Sequence, residues 1–233
     1  MARASNRLSV IAVLVAGFVI IGCTSDGSER ASTGASGNAG VAEDETARSQ
    51  RLALGTAAAQ ALTERARVGA VADNVLPNGS FEVWLENDGS QLPEHWHAVE
   101  QETIAKAGRA AGGDVVHDGK NTLRLVADRG VVSLGSDDLL ITDTENSSLR
   151  GKMVTAGVWA KADAPGAAFL NIRDGVDESP IVDHPGDGTW QFLAVSYTLS
   201  PRATRAMVRI GNRKQDDKTA VLLDSAVLVT PAR

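Results

Sequence analysis

The chain is poor in cysteine, with Cys23 alone, and poor in aromatic side chains, which make up 4% of its 233 residues and include one tyrosine. A single thiol can neither close an intrachain disulfide nor build a cysteine zinc site. Long apolar runs are missing too. The longest, Leu8 to Gly22, has 15 residues, short of the roughly 20 that an α-helix needs to span the hydrocarbon core of a bilayer. Basic charge is in deficit, 23 Lys+Arg against 29 Asp+Glu for a net −6, which excludes a protein that grips a phosphate backbone by charge. No nucleophile-elbow, P-loop or dinucleotide-binding glycine pattern occurs. The acidic pairs Asp137-Asp138, Asp177-Glu178 and Asp216-Asp217 are adjacent in polar surroundings and read as solvated turns, not as two carboxylates set across a cleft for glycoside hydrolysis. His95-Trp96-His97 offers two imidazoles on one strand face, too few for zinc without a third ligand. These absences together point away from an enzyme.

The amino terminus is what stands out first. Arg3 and Arg7 precede the apolar run, which ends at small Gly22 before Cys23, the layout of a secretory signal over residues 1–22. Ile20-Ile21-Gly22-Cys23 resembles a bacterial lipobox. That resemblance implies acylation of Cys23, a lipid anchor on the extracytoplasmic side of the cell envelope and, with Thr24 in second place, sorting to the outer membrane in a Gram-negative source. Residues 23–42 form a flexible tether, since 13 of the 18 residues from Cys23 to Gly40 are Gly, Ser, Thr or Ala.

Between 43 and 72 the composition predicts a helix, with Glu43, Asp44 and Glu45 at its start, Arg65 and Arg67 at its end, and Leu52, Ala59, Leu62 and Ala66 at helical spacing. Its apolar stripe is thin and interrupted by Gly55, which predicts a frayed stalk more than a packed helix. From 73 to 230 short alternating runs broken by Gly, Asn, Asp and Pro predict an all-β domain, a sandwich of antiparallel strands. Expected strands include Thr122–Ala127, Met153–Ala162, Ala168–Arg173, Gln191–Leu199, Ala206–Ile210 and Ala220–Val229.

The segments Asn74-Val-Leu-Pro-Asn-Gly-Ser-Phe-Glu82, Pro93-Glu-His-Trp96, Gly119-Lys-Asn-Thr-Leu-Arg-Leu125, Leu149 to Lys161, Gly188-Thr-Trp190 and Leu222-Leu-Asp-Ser-Ala-Val-Leu228 occur in that order. Together they resemble the CenC-type carbohydrate-binding modules, of galactose-binding-like jelly-roll fold. The resemblance implies a jelly-roll β-sandwich that binds a polysaccharide or envelope glycan without cleaving it. It also implies a structural calcium, with Glu82 and Asp224 as carboxylate ligands and backbone carbonyls near Gly79 and Asn121.

Alternation supplies a binding surface independently. With Val158, Ala160, Leu170, Ile172, Leu193, Val195, Tyr197, Leu199, Val208 and Ile210 facing inward, the outward phase carries Trp159, Lys161, Asn171, Arg173, Phe192 and Arg209. If neighbouring strands gather Trp159, Asn171, Arg173 and Arg209 on one face, sugar C–H groups can stack on the indole while hydroxyls pair with the planar polar groups. The competing reading is a structural or protein-interaction module that keeps the fold without a sugar site.

Overall fold

The computed structural model describes residues 45–69, 71–85, 92–99, 107–127, 130–141, 147–213 and 219–231. The leader, Cys23 and the tether lie outside the described residues. One long helix, α1 (Glu45–Arg67), precedes eleven strands: β1 (Trp96–Ala98), β2 (Ala107–Ala111), β3 (Asn121–Val126), β4 (Val132–Ser136), β5 (Leu139–Leu140), β6 (Met153–Ala162), β7 (Ala168–Arg173), β8 (Val182–Asp183), β9 (Gln191–Thr198), β10 (Arg205–Asn212) and β11 (Ala220–Val229). Every pairing between them is antiparallel. The first sheet runs β1-β4-β10-β7-β8, with β5 beside β10, and the second runs β2-β3-β11-β6-β9. The two face each other as a jelly-roll β-sandwich.

Alternation explains the long strands. In β6, Val154, Ala156, Val158, Ala160 and Ala162 are buried between the sheets, opposite Leu170 and Ile172 of β7 and Val208 and Ile210 of β10. Ten-residue β6 and β11 carry the alternation furthest, and both match the boundaries expected from sequence. The short strands β1, β2, β4, β5 and β8 escaped the sequence reading because two to five residues hold too little alternation to separate strand from loop.

β11 carries an irregularity between Asp224 and Val227, where its register against β6 shifts and Ser225 takes φ +47°. The bulge turns backbone groups toward the segment that enters the domain: the Ala226 N–H donates to Gly79 O at 2.7 Å, and the Asn74 side chain donates to Ala226 O while accepting the Leu228 N–H. A β-carbon at Gly79 would collide with Ala226 O, so glycine is what permits the approach. The first and last segments of the domain are thus tied by hydrogen bonds.

The helix corrects one expectation. Instead of standing off as a stalk, α1 lies on the outer face of the second sheet, against β9 and β6. At Gly55, where the stripe narrows, the helix lies over Ser196, and a β-carbon there would sit 3.6 Å from Ser196 Cβ, an ordinary van der Waals distance. The buried Leu62 anchors the next turn but one, while Leu52 and Leu54 remain exposed. Thr155 and Gly157 of β6, outward by phase, are buried on the face that α1 covers. A glycine at φ +69°, Gly69, ends the helix with its N–H on Ala66 O. No helix among the described residues is long and apolar enough to cross a membrane.

Candidate functional site

The sandwich divides the expected face in two. Asn171 and Arg173 on β7 and Arg209 on β10 belong to the first sheet, whereas Trp159 on β6 belongs to the second. They point away from the core on opposite sides of the domain, so the four cannot meet a single ligand. The error follows from strand order, which alternation cannot supply: phase says which residues face outward, not from which sheet.

On the first sheet the three polar residues do converge. Arg209 pairs in register with Asn171 on one side and Gly135 on the other, and Gly135 pairs with His97, so one row crosses four strands. Arg173 stands one step along β7, opposite Met207. Its Nε donates to Glu178 Oε2 at 3.0 Å, and Asn171 Nδ2 donates to the same oxygen at 3.1 Å. The Arg173 guanidinium holds the Glu178 carboxyl below the usual glutamate range; partial desolvation opposes it, and Asn171 and Arg209 reinforce it. Arg209 donates through Nε to Ser133 Oγ at 2.9 Å, and its guanidinium lies 5.0 Å from the centre of the Phe169 ring. Phe169 in turn lies on Gly211, where a β-carbon would come 2.6 Å from the ring.

Exposure sorts these residues. Asn171 is 0% exposed and Arg209 is 8% exposed, so Asn171 supports the Arg173–Glu178 pair from beneath and does not present its amide to solvent. Its Oδ1 has no hydrogen-bond partner among the described residues. Arg173, Glu178 and His97 are the accessible members. Between His97 and Arg209 the buried Gly135 is packed over by Met207 and His97, so that a β-carbon there would come 2.6 Å from Met207 Sδ and 3.1 Å from His97 Nε2. Glu178 was hidden in the sequence as half of an acidic pair; a tight return after β7 brings it back across Arg173, and no local pattern announces that return.

The second sheet carries the aromatic residues. Asp224, Trp159 and Phe192 stand in register across β11, β6 and β9. The loop before β3 folds over this row, with Lys161 Nζ donating to Asp114 O. His117 stacks on Trp159 at 3.9 Å between ring centres and 18° between planes, Trp190 meets His117 edge-on at 5.4 Å, and Phe192 meets Trp159 edge-on at 5.5 Å. Burial holds the His117 imidazole below the ordinary histidine value, against the pull of Asp224 and Asp118.

The residues expected to hold calcium are arranged otherwise. Asp224 Oδ2 accepts the backbone N–H groups of His117 and Asp118 and the Thr122 hydroxyl, and Oδ1 accepts the Ser225 N–H. Glu82 Oε1 accepts the N–H groups of Lys120 and Asn121, and Oε2 accepts the Asn121 amide. Gly79 O is taken by the Ala226 N–H. A cation site needs oxygens that turn their lone pairs to a common point; here donors occupy them, and both carboxylates clamp one loop. These residues do not fit a calcium ion. Burial raises the Asp224 carboxyl against its four donors, while at Glu82 the N–H donors outweigh burial and lower it. No group of three or more His, Cys, Asp or Glu among the described residues is placed to hold a metal.

No family model and no curated protein matches the chain. Among solved structures it is similar to a family 16 carbohydrate-binding module, with 14% identity over 67% of this chain and 99% of that one and a TM-score of 0.47. It is also similar to the CBM22-1 xylan-binding domain of Paenibacillus barcinonensis Xyn10C, with 19% identity over 66% and 92% and a TM-score of 0.43. A cyclase from Fischerella sp. TAU gives 13% identity over 69% and 98% and a TM-score of 0.49. A fold by itself selects no function, which has to be argued from the site.

Proposed function

We propose that the sandwich binds a polysaccharide or envelope glycan without cleaving it, on the outer face of the first sheet. The observation that carries this is the row His97–Gly135–Arg209–Asn171, flanked by the Arg173–Glu178 pair. The Arg173 guanidinium and Glu178 carboxylate, with the exposed His97 imidazole along the same row, offer donors and acceptors of the kind that neighbouring sugar hydroxyls match. Glu178 is held ionised by Arg173, which suits accepting hydroxyl hydrogens and not donating a catalytic proton.

Each hydroxyl trades water for protein at a net gain of about 0.5 to 1.5 kcal/mol, so a shallow polar face binds weakly, in the micromolar to millimolar range. Anchoring through Cys23 would present many copies on one membrane and turn weak contacts to a repeating polymer into avid ones. The full chain on a glycan array tests the reading, with His97→Ala and Arg173→Ala as variants. Retention on a glycan by the native chain, and its loss in both variants at unchanged melting temperature, is the expected result. Retention on no glycan, or retention unchanged in both variants, overturns it in favour of a structural module.

A further inference from the structure

The two sheets end in four edge strands, and three of them are guarded against further pairing. β1 and β8 are three and two residues long, and β2 carries Arg109 at the centre of its five residues. β9 is different. Gln191–Thr198 has eight residues, with no charge, proline or glycine and an unbroken register against β6. One step beyond the Met153–Thr198 pair, the Leu199 N–H donates to Lys152 O. Alternation along an antiparallel pair then turns the backbone groups of Tyr197, Val195 and Leu193 toward β6 and leaves the N–H and C=O groups of Phe192, Ala194, Ser196 and Thr198 on the outer edge. Among the described residues no strand pairs with that edge.

The same edge lines a groove of about 630 Å³, within the roughly 300–1,000 Å³ of ligand clefts. One wall is α1 from Arg48 to Thr63, and the other is Pro180 with Val182 of β8. Two such recessed edges cannot meet face to face, whereas a single extended chain enters the slot. Arg48 and Arg51 are the charged residues of the lining among the described residues, in a chain of net −6. They stand about two turns and one turn before Gly55 on α1, so positive charge is gathered at one end of the groove.

We propose that β9 is a docking edge for another protein: an extended segment, uncharged along its length and acidic at one end, adds to the second sheet as a further strand, with its acidic end against Arg48 and Arg51. Backbone hydrogen bonds to the free groups of β9 hold it, and the end charge fixes its direction. The groove shares no residue with the polar row of the first sheet, so this docking and glycan binding stand or fall separately.

The probe is a synthetic fluorescein-labelled peptide of alternating threonine and valine, made with a pair of aspartates at its amino end or at its carboxyl end, one form for each direction of strand pairing. Fluorescence anisotropy is expected to show that one form binds the full chain. Amide hydrogen exchange followed by NMR should then slow at Ala194, Ser196 and Thr198 and stay as it was at Leu193, Val195 and Tyr197. Ala194→Pro deletes an edge donor without touching the bonds to β6, and should abolish binding at unchanged Tm. N-methylation of alternate peptide residues should abolish binding in one phase and spare it in the other, a control that needs no folded variant. Arg48→Glu together with Arg51→Glu should weaken the aspartate-ended peptide at least about tenfold and leave a lysine-ended one no weaker. No binding by either form, or binding with exchange along β9 unchanged, overturns the proposal. So does a native chain that sediments as a dimer with the Ala194 and Ser196 amides already protected, which would make a second copy the occupant.

Discussion

Asp224 Oδ2 accepts the backbone N–H of His117 at 3.0 Å, and the imidazole of the same histidine stacks on Trp159, the residue directly across from Asp224 on β6. One buried carboxylate therefore fixes the loop that shapes the aromatic face. Asp224→Ala would leave the N–H groups of His117, Asp118 and Ser225 and the Thr122 hydroxyl without their acceptor. Relaxation and entering water recover part of a loss of about 1–3 kcal/mol per group. A net destabilisation of about 3 kcal/mol is expected, seen as a fall in Tm of about 6–12 °C by calorimetry. A variant that melts with the native protein would show that the loop is held by other contacts.

Chelation gives the complementary result. With the lone pairs of Asp224 and Glu82 directed at N–H and O–H donors, added calcium has no ligand set to complete, so melting curves with a chelator and with millimolar calcium should coincide. A bound ion at 100 times its Kd would add about 2.7 kcal/mol, a shift calorimetry resolves easily. A calcium-dependent rise in Tm would mean that the loop at 117–121 opens and exchanges its donors for the metal.

Legibility followed the length of the pattern. The inward sets of β6, β7, β9 and β10 were readable because sustained alternation decides which side is buried, and Val158, Leu170, Ile172, Leu193, Val195, Val208 and Ile210 are all in the core. Pairing was not readable: nothing in the residues around Trp159 and Arg209 says that they lie in different sheets, because strand order depends on long-range contacts. The acidic residues show the same limit. Glu82 and Asp224 were singled out as calcium ligands, and each is found accepting hydrogen bonds from segments distant in sequence, since residue type alone does not tell a carboxylate facing a cation from one facing amide hydrogens. Gly55, read as an interruption of the helix face, lies over Ser196 of β9, since a missing side chain weakens a stripe in sequence without preventing contact in space.

Asp174 sets an acid limit on stability. It is fully buried, Oδ1 accepts the N–H groups of Val176 and Asp177, and Oδ2 accepts the Ser200 N–H and the Tyr197 hydroxyl. Burial alone would raise the carboxyl; these four donors outweigh it and hold the group below the ordinary 3.8. The folded chain thus binds this proton less readily than the unfolded one, so the contribution is complete above the unfolded value and is lost as pH falls through the folded value. Asp174→Asn turns amide hydrogens toward donors and should be destabilised most near neutral pH. The Tm gap to the native protein should narrow below about pH 4. A gap independent of pH would mean that the carboxylate's charge contributes nothing.

The packing of α1 makes an unusual stabilising substitution available. Glycine within a helix costs about 0.5–1 kcal/mol relative to alanine because the unfolded chain has more freedom to lose. Where glycine is required by a positive φ or a backbone collision, that cost cannot be recovered, as at Gly79. At Gly55 a β-carbon would meet only Ser196 Cβ at 3.6 Å and Ser196 O at 4.0 Å, which is ordinary van der Waals contact. Gly55→Ala should therefore keep the helix seated, gain about 0.5–1 kcal/mol, and raise Tm by about 1–4 °C. Leu62→Ala acts in the opposite sense, since Leu62 is 3% exposed and holds the helix on the sheet. Hydrogen exchange separates the two effects: Leu62→Ala should speed exchange through α1 and leave β6 and β11 protected, whereas Gly55→Ala should slow it. If Gly55→Ala lowers Tm, the helix requires an even closer seat on β9 than a methyl group allows.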